Sequence, residues 1–578
     1  MHIVHAIIKI IVFITHRYLK VGRMRKNNIL LLLEDKTDDY ADRVALGIKT
    51  GYGWNEFTYK GIGLLSRKVA SYLINELNVQ KNDKIAILSE SKPEYGACVF
   101  ASILSGATTV PLDIKLTKYE LISILSDCKP SILFTSQQYL EKALDIQKEV
   151  DSIKHIVVMD EPSYNMTLPS IYTINSNVNC KWRHRSSKST AFIIYTSGTT
   201  GNPKGVEISF RNMIAQLKDM EEVFPHFLDP NEKIPVLSIL PMNHLFELTV
   251  GFSVFLYWGL SVYYTQSLKP KDILMIMREK QVKFMIVVPA FLKLLKAGIE
   301  SEINANPVAK KVFPVMFNIA RMIPCMKIRK MIFKKIHDNF GGKFSGCISG
   351  GAPIDKNVAN FFETIGIKIY AGYGLSETSP VVSVNYDKRH DYSSVGKPFS
   401  SFECRIDKET GEIQLKGPSV MKGYYNQPEL TAETIDEDGW LHTGDIGHLD
   451  SDGHIHITGR IKNMIVLSGG KKVFPEEVEA VLEKSENFAE VCIMGSSRTG
   501  GEKDGTEDIA AIIVPKEQFM RDKTDEELNK LIREEVKTLS QHLAPYKRPI
   551  NIIVHKEPLP KTTTLKIKRK EVKALLNL

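Results

Sequence analysis

The chain reads as an α/β protein: a large N-terminal body of several sheets with an added β subdomain, followed by a small α+β C-terminal domain. Three observations lead there. Its 578 residues exceed what one hydrophobic core supports, since cores stop growing near roughly 250 to 300 residues. From Phe57 onward, strand and helix patterns alternate at short intervals, which is the mark of parallel βαβ units covered by helices. Past Ser393 the segments become short and turn-rich, and near Gly459 the pattern changes once more.

The amino end comes first. Ile3 to Thr15 (IVHAIIKIIVFIT) is apolar, broken by Lys9, and followed by the basic run HRYLKVGRMRK. It is shorter than the roughly 20 apolar residues of a spanning helix, and no small-residue cleavage site follows it, so export is not expected. Two readings stay open: an amphipathic anchor, or a start of translation at Met24. Residues 1–27 are set aside as an extension. Next come a helical stretch KGIGLLSRKVASYLINEL, the strand KIAILS, the helix PEYGACVFASILSG, the strand ATTVPLD, and after another helix the strand SILFTS. The rhythm returns through KFMIVVPA, KFSGCISGGAP and IKIYAGYGLSET. GEIQLKGPSVMKGYYN and LDSDGHIHITGR suit the β subdomain. A hairpin, the helix PEEVEAVLEKS, a strand, the helix DEELNKLIREEVKTLS and a basic tail make up the last unit. The expected domains are 28–460 and 461–578.

Composition narrows the function classes. With 43% hydrophobic and 25% charged residues, the chain leaves no room for a large disordered fraction. Lys plus Arg exceeds Asp plus Glu by nine (76 against 67), a mild basic excess that suits anionic ligands or a membrane surface. The seven cysteines are scattered with no CxxC, so neither a disulfide framework nor structural zinc is suggested, and a cytoplasmic location fits. His442, His448, His454 and His456 lack a matching ligand set for zinc. The tail KTTTLKIKRKEVK is basic without interleaved aromatics, which argues against nucleic acid.

YTSGTTGNPKG, Tyr195 to Gly205, runs from a strand into glycines and hydroxyls and ends on one lysine. Glycines lack Cβ, so backbone N–H groups there can close on an anion. It is not a P-loop, because Gly205 rather than a hydroxyl residue follows Lys204. Alone, the loop reads equally well as a flexible turn. Six further stretches follow in order: LPMNHLFE, SGGAPI, YGLSET, GWLHTGD, GRIKNMIVLSGGKKVFPEEVE and LPKTTTLKIKR. Together they resemble the signatures of the adenylate-forming enzymes, the group that includes acyl-CoA synthetases, firefly luciferase and the adenylation domains of peptide synthetases. Seven motifs in the right order span Tyr195 to Arg569.

The resemblance implies αβαβα-type layering with a mobile C-terminal lid, and it assigns residues. Thr196, Ser197, Gly198, Thr200, Gly201 and Lys204 would wrap the ATP phosphates, while Thr199 and Glu377 would hold Mg²⁺. Tyr373, followed by Gly374, would stack on adenine, with Gly351, Ala352 and Pro353 lining the other side and Thr378 reaching the α-phosphate. Asp445 would take the ribose diol, with Arg460 adding a donor. Lys566 would bridge substrate carboxylate and α-phosphate. It is preferred over Lys561, Lys568 and Lys570 by its place in the motif, although Leu565 stands where many members have glycine. Lys462 would be the hinge, with Asn463 in place of a common aspartate, and Ser468, Gly469 and Gly470 would wall the coenzyme A tunnel.

His244 and Glu247 resemble the acyl-pocket motif. Gly251 to Tyr264 could line a tunnel, or simply be a buried helix and strand. Met316 to Phe340 mixes apolar and basic residues at helical spacing, which suits either membrane contact or a packed stripe with a solvated face. That insertion and TLKIKR resemble the long-chain fatty-acid branch. The expected activity is therefore Mg²⁺-dependent, ATP-driven activation of a medium- or long-chain fatty acid and its transfer to coenzyme A. The rivals are delivery to an acyl carrier protein, and a non-catalytic protein that binds acyl-adenylates or lipids.

Overall fold

The computed structural model describes residues 36–162, 167–176, 180–196, 203–226, 232–386, 391–467, 471–497, 507–562, 565–576 and 578. The amino-terminal extension lies outside the described residues. Two large sheets form the body. One has seven strands in the order Gly423–Tyr424, Lys204–Ser209, Thr190–Thr196, Thr108–Pro111, Lys84–Leu88, Ile132–Thr135, His155–Val158. Pairing is parallel from Thr190–Thr196 to His155–Val158 and antiparallel at the Lys204–Ser209 end. Strands such as Thr108–Pro111 and Ile132–Thr135 are buried at every position, as a sheet covered on both faces requires.

The other sheet has eight strands, with Val381–Val384, Lys368–Gly374, Gly346–Ser349, Phe284–Val287 and Pro235–Ser238 followed by Ser261–Tyr264, Val44–Thr50 and Gly53–Thr58. Both edges are antiparallel and the interior is parallel. The expected alternation therefore holds, and the helix boundaries follow local chemistry. Helix Pro93–Ser105 opens on proline and ends at Gly106 with φ +83°, where the missing Cβ makes the left-handed turn cheap. Helix Lys118–Cys128 opens on a Thr117/Glu120 capping box, and helix Asp525–Ser540 on a Thr524/Glu527 one.

The turn-rich stretch after Ser393 folds as a four-stranded antiparallel sheet, Glu403–Ile406, Glu412–Lys416, Leu441–Leu449 and Ile455–Arg460. Beyond it, strands Phe488–Ser497, Glu507–Pro515 and Asn551–Val554 pack with helices Pro475–Leu482 and Asp525–Ser540 around a core of their own, including Ile493, Ile513 and Ile532.

Two stretches differ from their sequence patterns. Met316 to Phe340 is not one helix but parts of three: Pro307–Met322, Met326–Ile332 and Lys334–Asn339. Ile323 is extended before Pro324, the conformation a following proline imposes. In the Gly251 to Tyr264 stretch the helix winds wide, as a π-helix over Glu247–Val254, before strand Ser261–Tyr264.

Candidate active site

Strands Thr190–Thr196 and Lys204–Ser209 pair antiparallel with Thr196 opposite Lys204, so the mouth of the glycine loop is fixed by sheet register. Ser197, Gly198, Thr199, Thr200 and Gly201 lie outside the described residues. The Lys204 ammonium sits 5.4 Å from the Tyr424 ring centroid, and the Tyr424 hydroxyl donates to Glu377 Oε1 at 2.8 Å. Burial, and then the Glu377 charge, raises the Tyr424 phenol above its ordinary range. The lysine expected to bind phosphate and the carboxylate expected to hold metal are thus joined by one tyrosine.

Glu377 stands on the short turn Ser376–Thr378, just beyond strand Lys368–Gly374. Gly374 cannot be replaced there: a Cβ would come 1.7 Å from the Pro380 carbonyl oxygen. The Thr378 hydroxyl is buried in its own turn, accepting from the Leu375 amide at 2.9 Å and lying 2.7 Å from the Pro380 carbonyl. Tyr373 is only 7% exposed, less open than its flanking glycines suggest, and its hydroxyl donates to Asp445 Oδ2 at 2.8 Å. Asp445, 3% exposed, also accepts from Arg460, through Nε at close range to Oδ1 and through Nη2 at 3.2 Å to Oδ2. Strand pairing puts Asp445 opposite Arg460, so this ion pair is built into the four-stranded sheet. The Thr443 hydroxyl accepts from the Asp445 backbone amide at 3.0 Å, which fixes the backbone that carries the carboxylate. Three protein donors already occupy the carboxylate expected to take the ribose, leaving it a fourth lone-pair position.

The C-terminal unit brings Lys566 into the same place. Gly351, Ala352 and Pro353 form an exposed edge after strand Gly346–Ser349, and a Cβ built on Gly351 would lie 4.0 Å from Lys566 Cε. The hairpin carrying Lys566 is held by its own amide donating to Thr562 Oγ1 at 3.1 Å and its carbonyl accepting from the Thr562 amide at 2.8 Å. Leu565 occupies the left-handed region at φ +61°, which explains why glycine is common there. Its side chain packs against the large N-terminal core. Lys566 is open to cleft water yet ringed by protein. Lost hydration, then the Arg460 charge, with Asp445 opposing and Lys462 adding, draws its pKa down to about 8. Lys462, on the turn Ile461–Asn463, is lowered by burial and Arg460, and also feels Glu377, Asp445 and Lys204. Ser468, Gly469 and Gly470 lie outside the described residues.

His244 lies within the electrostatic reach of Lys566. Burial lowers its pKa, with Asp113 opposing and Lys566 and Lys115 adding to the shift. Three residues on, Glu247 is wholly buried, its Oε2 accepting from the Ser238 hydroxyl. Burial pushes that carboxyl up to about 8.

Four cations (Lys204, Arg460, Lys462 and Lys566) thus gather around two carboxylates, Glu377 and Asp445. Such an excess of positive charge is a seat for a polyanion. Glu377 keeps Oε2 beyond its bond to Tyr424, which fits a hard ion that keeps most of its waters and phosphate ligands. Tyr424 and Asp113 were not singled out from sequence. Tyr424 lies in a run read only as β structure, and nothing in that run's spacing points across the sheet to Glu377.

Comparison with known proteins agrees with this geometry. Residues 33–425 match the model of the AMP-binding enzyme family, and residues 477–566 that of the AMP-binding enzyme C-terminal domain. A long-chain-fatty-acid–CoA ligase of Salmonella typhimurium is 28% identical over 600 aligned residues, 95% of this chain and 94% of the relative. A long-chain-fatty-acid–[acyl-carrier-protein] ligase of Arabidopsis thaliana is 27% identical over 93% of this chain and 84% of its own length. Among solved structures, ATP-bound MatB from Rhodopseudomonas palustris superposes with a TM-score of 0.76 at 23% identity, covering 95% of this chain and 98% of that one. The o-succinylbenzoate CoA synthetase of Bacillus subtilis with its acyl-adenylate gives 0.72 at 24% identity, over 94% and 97%. Sheet order, the converging cations and the two matched family models lead to one conclusion: this chain belongs to the AMP-binding enzyme family.

Proposed function

We propose that the chain activates a medium- or long-chain fatty acid with ATP and passes the acyl group to coenzyme A, releasing AMP and pyrophosphate. The observation that carries this reading is the position of Lys566 beside Gly351 and within the field of Arg460 and Asp445. In the first step a carboxylate oxygen bonds to the α-phosphorus while the bond from that phosphorus to the β-phosphate oxygen breaks. Two anions must be forced together, and Lys566 supplies a cation where negative charge concentrates. Lys204 and the loop Thr196–Gly201 take the departing phosphates. Mg²⁺, held by Glu377 and Thr199, would neutralise phosphate charge. Asp445 takes the ribose beside Arg460, and Tyr373 the base.

In the second step the coenzyme A sulfur bonds to the acyl carbon, the bond to AMP breaks, and the thiol proton leaves to solvent. Lys566 must then vacate the cleft. Residues 28–460 carry the adenylate site in this reading, and 461–578 rotate as a lid about Lys462, bringing Ser468, Gly469 and Gly470 to the tunnel. Likeness to the Arabidopsis ligase supports a second acceptor, an acyl carrier protein. The reading includes transient contact with a lipid surface from which an apolar acid is drawn.

The test is pyrophosphate release across a ladder of carboxylic acids, alone, with coenzyme A, and with holo-acyl carrier protein. Release with C8 to C18 acids and thioester formation with coenzyme A are expected. No release with any fatty acid would refute the activity, and turnover with the carrier protein alone would move it to the second acceptor.

A further inference from the structure

The insertion before strand Gly346–Ser349 has two apolar faces, and only one of them is used. Phe313, Met316 and Phe317 of helix Pro307–Met322 pack inward on the body, with the Phe317 ring 5.7 Å from that of Phe361. Helix Lys356–Thr364, which carries Phe361, leads into the strand that bears Tyr373. The insertion is therefore anchored one layer behind the adenylate site.

Its outer face is apolar as well. Val308 is 70% exposed, Val312 45%, Val315 59%, Ile319 52% and Met322 84%. Their numbers step by four, three, four and three, which is one stripe along a helix, about 21 Å long at 1.5 Å per residue. Ile328 and Met331 on the next helix are exposed apolar residues too. Isolated apolar side chains at a surface need no explanation, but a periodic run of them marks a contact.

Charge identifies the partner. Residues 307–336 hold eight Lys or Arg and no Asp or Glu. Removing those eight leaves 68 basic residues against 67 acidic ones, so this one segment carries nearly all of the chain's net charge of +9. Arg329 and Lys330 are spent on the backbone, donating to Glu363 O at 2.9 Å and Phe344 O at 3.0 Å. Lys310, Lys311, Arg321, Lys327 and Lys335 are exposed. A fixed helix with an outward apolar stripe and basic flanks is the form of an interfacial membrane helix.

We infer that the outer face of Pro307–Met322, with the basic residues around it, docks on an anionic lipid bilayer. This inference rests on the fatty-acid reading, because a substrate dissolved in the bilayer gives the contact its use. Binding lays the Val308–Met322 stripe into the headgroup boundary and sets the lysines against lipid phosphates. No helix among the described residues is long and apolar enough to cross a membrane; the proposed contact is lateral, along the helix surface.

The test is co-sedimentation of the full chain with vesicles of phosphatidylcholine alone and of phosphatidylcholine with about a third phosphatidylglycerol. The wild type should bind the anionic vesicles preferentially and release them as salt is raised. Val315→Glu with Ile319→Glu should cut the partition coefficient by about tenfold or more. Lys310→Glu with Lys311→Glu should cut it similarly and erase the preference for anionic lipid, at roughly fivefold per cation. Pyrophosphate release from octanoate without vesicles should be the same in both variants. That readout separates loss of the docking face from failure of the fatty-acid reading. Wild type that ignores anionic vesicles, or variants that bind like wild type, would overturn the inference. So would variants that instead lose a dimer in sedimentation velocity, or lose holo-acyl carrier protein while keeping vesicles.

Discussion

If Lys566 works as a cation, the first half-reaction carries its titration. Its pKa of about 8 means that roughly nine-tenths of the free enzyme has the ammonium at pH 7 and one-tenth at pH 9. The active form is the protonated one, so the activity this lysine supplies is present below about 8 and lost as pH rises through it. The kcat/KM for acyl-AMP formation should therefore fall about tenfold between pH 7 and pH 9. Lys566→Arg keeps a charge that does not titrate in this range. Its rate should be lower at pH 7, because a planar guanidinium cannot take the position of an ammonium, but nearly flat to pH 9. Lys566→Met should lose on the order of 10² or more of adenylation, yet convert presented acyl-AMP to thioester at close to the wild-type rate. The assay is pyrophosphate release with a soluble acid and no coenzyme A, which keeps the thiol's own titration out of the profile. A wild-type limb that persists unchanged in Lys566→Arg, or equal loss of both half-reactions in Lys566→Met, would refute the assignment.

Three further outcomes follow from the same geometry. Tyr424→Phe removes a 2.8 Å hydrogen bond to Glu377, and should raise KM for Mg·ATP by about three- to tenfold with little change in melting temperature. Leu565→Ala keeps the left-handed backbone at φ +61° but deletes the contact with the N-terminal core; rapid-quench kinetics should show slower acyl-AMP formation and unchanged thioester formation. Glu247 has a folded pKa of about 8 against an ordinary 4.5, so the stability tied to its protonation is full below about 4.5 and drains as pH rises towards 8. At pH 7 the drain amounts to about 3 kcal/mol as an upper figure; Glu247→Gln should remove it, and in thermal scans the variant should gain on wild type steadily from pH 5 to pH 8.

Much of the fold was legible because its information is local. Lys84–Leu88, Ile132–Thr135 and Phe284–Val287 are short apolar runs between helical patterns, and all three are parallel strands buried at nearly every position. Two features were hidden. The break at Ile323–Pro324 competes with a strong helical periodicity on both sides, and periodicity alone does not weigh one proline. The wide turn at Glu247–Val254 leaves the Glu247 carboxylate against Gly251, where a Cβ would come within 2.2 Å of Oε2. Helical spacing does not encode that this carboxylate is wholly buried and held by the Ser238 hydroxyl of a neighbouring strand. The site divides in the same way. Glu377, Asp445 and Lys566 stood out through motif order, whereas the link from Lys204 through Tyr424 to Glu377 joins residues 220 and 47 positions apart along the chain.

The link also bears on how one cleft can serve two reactions. With no anion bound, Lys566, Lys462, Lys204 and Arg460 repel one another, and that repulsion adds to the larger effect of burial in lowering the pKa values of Lys566 and Lys462. A triphosphate and a carboxylate add negative charge and hold Lys566 in the cleft. Once pyrophosphate leaves, the acyl-adenylate keeps a single phosphoryl charge, and the attraction that held the lysine falls accordingly. Among the contacts that would then oppose departure are the apolar contact of Leu565 and the surface ion pair of Lys293 with Glu483, at 2.7 Å. An exposed pair of that kind contributes at most about 1 kcal/mol. In the proposed reading, loss of product charge, rather than a contact to coenzyme A, is what would release the lid. Pyrophosphate added back during thioester formation should therefore slow that step by restoring the lysine's hold, and Lys566→Met should be insensitive to it. Equal inhibition of both proteins would mean that charge is not what holds the lid.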